Sequence, residues 1–363
     1  MDRRGFFKSM LGKGAAHGAR RVDAVIIPFE RAARAARDAI PGQDLPEEVY
    51  DTRPAERVEG EADPLPAEPV LTPVSEEDLM RVAADAGLIR HVEAAVALSR
   101  RTLRIVPGDG PPPPGSRSRL GGTPDLPAGT VWPRWDEQPM TFLAQLDLAE
   151  AHAIGVDPLL PTSGVLALFS SLDRTPSGTS PFDAGGTQVL RLPGSMRPQP
   201  APDPAQPGQP ASARALELSS ELTLPAVWSR AVRALGLDEE EREAWELARR
   251  DLAELQGVEA WVPDMPLRSI HRLLGDADAE RDDMALTLEL AQRGIDVGFG
   301  PPAAHPEADR FLDVSRRWRL LLQLTVDESL GWRFGRGRDR LYVWAPADGL
   351  AAGELSQARA LTR

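Results

Sequence analysis

One stretch of this chain returns, faded, about 150 residues further on, a separation on the scale of a domain, and that return limits what the chain can fold into. The first occurrence runs Arg119-Leu-Gly-Gly-Thr-Pro, then Trp132-Pro-Arg-Trp135, then Phe142-Leu-Ala-Gln-Leu-Asp-Leu148. The second runs His271-Arg-Leu-Leu-Gly275, then Leu320-Leu-Leu-Gln-Leu-Thr-Val326. Each reads as a motif with a tight turn, a strand with a central Gln, and a further strand: Gly164–Ser170 in the first case, Arg340–Ala345 in the second. Arg119 and Gln145 lie 26 residues apart and Arg272 and Gln323 lie 51 apart. An inserted helix over Asp282–Arg293 explains the difference. The pattern predicts an α+β fold of two similar sheet-and-helix halves related by a pseudo-twofold axis, with a helical N-terminal extension. Such a short, irregular repeat is not a solenoid.

The rest of the chain supports this division. Residues 1–40 carry nine Lys/Arg against four Asp/Glu, a net +5 in a chain whose total is −13, which leaves −18 for the remainder. We read them as a basic amphipathic arm suited to a protein partner or, more weakly, an anionic membrane surface. Residues 41–74 are acidic and proline-rich, a linker composition that cannot bury enough apolar area to offset ordering entropy. Ser75-Glu-Glu-Asp78 is a helix start, and helices are expected over Glu76–Ala86 and Leu88–Arg101. These lead through a strand at Thr102–Val106 into the first half, so that 75–195 forms one unit. A Pro/Gln/Ala linker over 196–212 separates it from a second half at 213–363. There, Leu216–Leu224 reads as a strand, Asp238–Leu255 as a largely solvated charged helix, and Leu350–Ala360 as a final helix.

Several function classes drop out. The chain has no cysteine, which excludes disulfides, thiol catalysis and thiolate metal sites. A net charge of −13 argues against nucleic acid as a partner. The five histidines stand in no ligand spacing, so no metal and no cofactor is expected. Gly-x-Ser-x-Gly is absent, and Gly121-Gly122 lacks both the spacing and the following helix of a phosphate loop. Arg3-Arg-Gly-Phe-Phe-Lys8 resembles a twin-arginine export motif, but charge interrupts the apolar run such a signal needs. A cytoplasmic location is expected, with export as the alternative.

The motifs together resemble the YwqG-like family, a bacterial domain of unknown function. The resemblance rests on Gly-Gly-x-Pro-x-Leu-Pro, Trp132-Pro133, the Phe142–Leu148 strand and Gly164-Val-Leu-Ala-Leu-Phe169. In the second half it rests on His271–Gly275, Leu321-Leu-Gln-Leu324 and Trp332-x-Phe-Gly335-x-Gly337. It covers roughly Ser118 to Ala358 and implies a mixed fold with internal duplication, but no activity. Asp276, Ala277 and Glu280-Arg281, and likewise Arg336 and Arg338, depart from the family's pattern, so a family site in the second half is expected to be altered.

Five residues remain as candidates for a cleft between the halves: Arg119, Gln145, His271, Arg272 and Gln323. The functional version lines that cleft with both Arg and both Gln for an anionic or peptide ligand. The structural version has the same groups lock the halves together, and it is preferred because most buried polar groups serve satisfaction. No residue is assigned a catalytic role. The reading is therefore a non-catalytic binding or interaction protein. The alternatives are a hydrolase or transferase with His271 as acid/base beside Arg119 and Arg272, and an exported or membrane-surface protein.

Overall fold

A computed structural model describes residues 73–172, 174–202, 212–257, 271–278, 283–298, 300–327, 330–334 and 340–363. The basic arm, the acidic linker up to residue 72, Glu280-Arg281 and Arg336 to Arg338 lie outside the described residues. The chain divides into two units, Met1–Glu68 and Pro69–Arg363, and the described residues belong to the second.

Among the described residues, ten strands build two antiparallel sheets: β1 Arg100–Pro107, β2 Arg119–Leu120, β3 Thr141–Asp147, β4 Val165–Ser170, β5 Thr187–Leu192, β6 Leu216–Thr223, β7 His271–Leu273, β8 Trp318–Thr325, β9 Arg340–Pro346 and β10 Arg359–Thr362. The larger sheet has the order β6-β1-β7-β8-β9-β10 and the smaller the order β2-β3-β4-β5. The fold is mixed α+β, and the two Gln-bearing strands, β3 and β8, stand in different sheets.

One row of the larger sheet runs through ladder partners Leu103, Leu273, Leu322, Val343 and Ala360. All five are buried in the same apolar cluster as Leu120, Ala144, Leu146, Leu166, Leu168 and Val189 of the smaller sheet. The two sheets thus share one core, as period-2 alternation requires when one face of each is apolar. β3 and β8 break that alternation at the same place. Each carries a register shift, between Phe142 and Ala144 and between Leu320 and Leu322. An extra residue at a bulge turns two successive side chains to one face. Leu143 with Ala144, and Leu321 with Leu322, both join the shared core. Phe142 and Leu320 fall instead into clusters on the outer faces.

Helices Glu76–Asp85 and Val92–Leu98 do not serve the first half, as the sequence suggests. Leu79, Ala83 and Ala95 pack with Leu222 and Leu224 and with Trp245, Ala248 and Leu252 of helix Glu239–Leu255. That helix starts on an Asp238 capping box and buries one narrow apolar stripe, Trp245, Ala248 and Leu252, while its other residues stay partly or fully exposed, as its charge suggests. β1 likewise joins the larger sheet, between β6 and β7. The spans 75–195 and 213–363 are therefore interleaved, because β1 finds its hydrogen-bond partners across the sequence boundary. Two other expectations change. Residues 347–352 are helical, but Arg359–Thr362 is a strand whose backbone groups complete the sheet edge beside β9. Within the supposed 196–212 linker, Arg197–Pro198 pairs with Asp125–Leu126 as a two-stranded ribbon, where a proline at an edge costs no ladder bond.

Candidate functional site

The two motif turns are alike residue by residue. In the second, Arg272 pairs with Gln323 across the β7–β8 ladder, and the chain leaves β7 through two left-handed residues, Leu274 (φ 63°) and Gly275 (φ 84°). In the first, Arg119 pairs with Gln145 across β2–β3, and Gly121 (φ 61°) and Gly122 (φ 72°) follow. The Leu274 N–H donates to Leu321 carbonyl oxygen at 2.9 Å, and the Gly121 N–H to Leu143 carbonyl oxygen at 2.7 Å. Glycine is needed at the second place in each turn. A Cβ on Gly122 would lie 2.6 Å from Ala213, and one on Gly275 2.7 Å from Thr102.

Six residues after each Arg comes an Asp that closes the arrangement. The Asp278 N–H donates to Gln323 Oε1 at 3.0 Å, and its carboxylate pairs with Arg272 and accepts from Gln323 Nε2 at 3.1 Å. The Asp125 N–H donates to Gln145 Oε1 at 2.9 Å, and its carboxylate pairs with Arg119. These two aspartates are absent from the sequence reading, although their shared spacing from Arg119 and Arg272 is a signal for them. The Gln and the glycines are the more conspicuous members of each motif.

The surroundings differ. Around Arg272 buried groups of opposite charge face one another, although Arg104 Nε and Glu221 Oε1 meet as an ion pair without hydrogen-bond geometry. Arg272 Nε lies 3.4 Å from Glu221 Oε2, Arg104 Nε lies 2.9 Å from Glu221 Oε1, and Arg340 donates to the Asp278 carbonyl oxygen. Burial pushes the Glu221 carboxyl upward, opposed by Arg272 and Arg104. Burial also works against an ionised Asp278, but the charge and hydrogen bond of Arg272, with Arg340 and Gln323, outweigh it and bring the carboxyl down to about 2.

Around Arg119 there is no such surplus. Its Nη1 donates to the Thr123 carbonyl oxygen at 3.1 Å and its Nη2 to that of Ser116 at 3.3 Å, besides the pair with Asp125. Arg119 Nε and Gln145 Nε2 are buried and, among the described residues, meet no acceptor.

His271 points the other way. Its ladder partner is Ile105, a member of the shared core, and its ring stands edge-on to Trp332 with centroids 5.8 Å apart. The Thr325 N–H donates to His271 Nδ1 at 3.1 Å, and Asp327 lies 4.0 Å from Nε2. Burial brings the imidazole down to about 4, against the pull of Asp327. Adjacent strand residues point to opposite faces, so His271 and Arg272 stand back to back.

The five candidates therefore do not line one cleft. Arg119 joins Gln145, and Arg272 joins Gln323, each pair on the outer face of its own sheet. Among the described residues no hydrogen bond or ion pair links the two pairs. Among those residues, too, no group of three or more His, Asp or Glu is placed to hold a metal, and no helix is long and apolar enough to cross a membrane.

Motif order and the Arg–Gln turns point to one family. The model of the domain of unknown function DUF1963 matches residues 118–361. The chain belongs to the DUF1963 family. The match spans both Arg–Asp–Gln turns and the strands from β2 to β10, stopping one residue short of the end of β10, whereas β1 and the first two helices precede it. No curated protein matches the chain.

Proposed function

We propose that this DUF1963 protein is a non-catalytic binding protein that acts in the cytoplasm, with the basic segment 1–40 contributing to capture of an acidic protein partner. One observation carries the reading: the back-to-back placement of His271 and Arg272. An acid/base group must reach the same substrate as its anion-holding partner, and these two are separated by the sheet itself. Arg272 is moreover engaged by Glu221 and Asp278, an arrangement that fixes a turn more readily than it receives a substrate. The charge contrast between a +5 arm and the −18 remainder supports recognition through the arm.

The test is affinity capture by the full chain and by a chain lacking residues 1–73, at low and at physiological salt. A partner retained by the first, lost by the second and weakened by salt is the expected result. Turnover of an ester or phosphate substrate that His271→Ala abolishes in a folded protein would replace this reading with the enzymatic one. A reporter fused to residues 1–40 and recovered outside the cytoplasm would remove the proposed location.

A further inference from the structure

The geometry points to a small acceptor-binding subsite at Arg119 and Gln145, one that takes a neutral carbonyl oxygen such as a peptide or primary amide presents. The two Arg–Gln turns are alike in backbone but unlike in what reaches the arginine. In the larger sheet two further strands, β1 and β6, flank the motif strand, and β6 brings Glu221 against Arg272 Nε. In the smaller sheet β2 is the edge strand, and an isolated bridge joins its Leu120 to Arg214. Among the described residues no counterpart of β6 stands there, and so no counterpart of Glu221.

What is left are two N–H donors on one face, on ladder partners: Arg119 Nε and Gln145 Nε2. Gln145 is 0% exposed. Its amide orientation is settled by the Asp125 N–H, which must meet Oε1 and so leaves Nε2 as the donor. A buried donor without an acceptor is destabilising, and such groups in folded proteins are normally paired. The Arg119 and Asp125 side chains retain 14% and 17% exposure, so the rim of the site is open to solvent.

Charge then selects the acceptor. Around Arg272, three cations (Arg104, Arg272 and Arg340) face two carboxylates (Glu221 and Asp278). Arg119 already has its carboxylate in Asp125. A second anion here would have to share Arg119 with Asp125, and an incompletely paired buried charge is far costlier than a buried dipole. A carbonyl oxygen carries two lone pairs and no net charge, which suits two N–H donors. The apolar cluster on the same face, including Trp132, Phe142, Phe169 and Leu126, adjoins the site and suits the hydrocarbon beside such a carbonyl.

This inference rests on the binding reading above and names a ligand chemistry for it, but the two fail separately, since capture through residues 1–40 leaves these donors untouched. The experiment is a nitrogen-15 NMR titration of the full chain, following the Arg119 Nε–H and Gln145 Nε2–H signals, which Arg119→Lys and Gln145→Met serve to assign. The probes are N-methylacetamide and sodium acetate, with sodium chloride matching ionic strength. Saturable shifts of both signals with N-methylacetamide, at least tenfold weaker with acetate, are expected, with the Gln145 Nε2–H response weakened at least tenfold in Arg119→Lys. Shifts with acetate alone would overturn the neutral-acceptor assignment. A buried water only, seen as water cross-peaks to both donors that no probe perturbs, would overturn the subsite itself. Because the decisive contrast is between probes on the unaltered chain, it survives a variant that does not fold.

Discussion

His271 links a single proton to the stability of the shared core. In the unfolded chain its imidazole titrates near 6.5, and in the native protein near 4. Between those values the unfolded state binds the extra proton, so stability is complete above pH 6.5 and falls as pH drops towards 4. The loss reaches about 3 kcal/mol when the full shift is converted. Urea unfolding followed from pH 7 to 4 checks this, and His271→Asn, which keeps an acceptor for the Thr325 N–H, is expected to flatten that limb. An equal slope in the variant would remove His271 as the cause. The two glutamines make a second comparison. Gln323 both accepts from the Asp278 N–H and donates to its carboxylate, whereas Gln145 only accepts. Gln323→Leu is expected to cost about 2–4 kcal/mol, and Gln145→Leu about 1–2 kcal/mol less, because it also removes an unpaired donor. Equal losses in denaturant midpoint at unchanged slope would show that the Gln145 donors are satisfied.

At the scale of elements, the turn after β7 sets strain against packing. Leu274 holds φ 63°, where a side chain costs about 1–2 kcal/mol, yet that side chain is buried in the shared core. Deleting a buried leucine side chain costs about 3–5 kcal/mol, so Leu274→Gly is expected to destabilise by about 2 kcal/mol despite relieving the strain. A stabilised variant would mean that packing at this turn is weaker than its burial implies. The sequence marks this turn through Gly275 but presents Leu274 as an ordinary apolar residue; only alignment with Gly121 shows that it occupies a glycine's place. Strand positions were legible for a similar reason. Phe142-Leu-Ala-Gln-Leu and Leu320-Leu-Leu-Gln-Leu are β-prone runs bounded by breakers, and they form β3 and β8 almost to the residue. The facing of their side chains was not legible. A bulge reverses alternation without a signature in residue type, so the sequence places both Gln between the halves whereas both point outward. The last strand, β10, was hidden because an open sheet edge outweighs local preference: Arg359–Thr362 follows a helix-like run, yet it pairs with β9 for its hydrogen bonds.

The whole molecule is where sequence reading reaches least far, because pairing across long separations leaves no local trace. Nothing near Leu103 announces Leu273 as its neighbour, and the interleaving of 75–195 with 213–363 follows from that ladder. The same scale decides how the two sheets are held together. Beyond the shared core, the loop between β4 and β5 reaches the edge of the larger sheet. The Thr362 hydroxyl donates to Pro176 carbonyl oxygen at 3.2 Å, and the Val297 N–H to that of Thr179 at 2.9 Å. Gly178 lies between them with φ 76°, and a Cβ there would stand 2.6 Å from Leu361 Cγ, with the Ala360 carbonyl oxygen closer still. Gly178→Ala therefore combines a left-handed backbone penalty of about 1–2 kcal/mol with overpacking of about 1–3 kcal/mol. We expect a loss of about 3 kcal/mol, expressed in both sheets at once because they share one core. Far-UV circular dichroism and tryptophan fluorescence should move together to a lower urea midpoint, with Trp132 and Trp135 reporting beside the smaller sheet and Trp332 and Trp344 beside the larger. If the two probes separate, the sheets unfold independently and the shared core does not bind them into one cooperative unit. If both stay in place, the loop yields to the added methyl, and its contacts with β10 contribute little to joining the sheets.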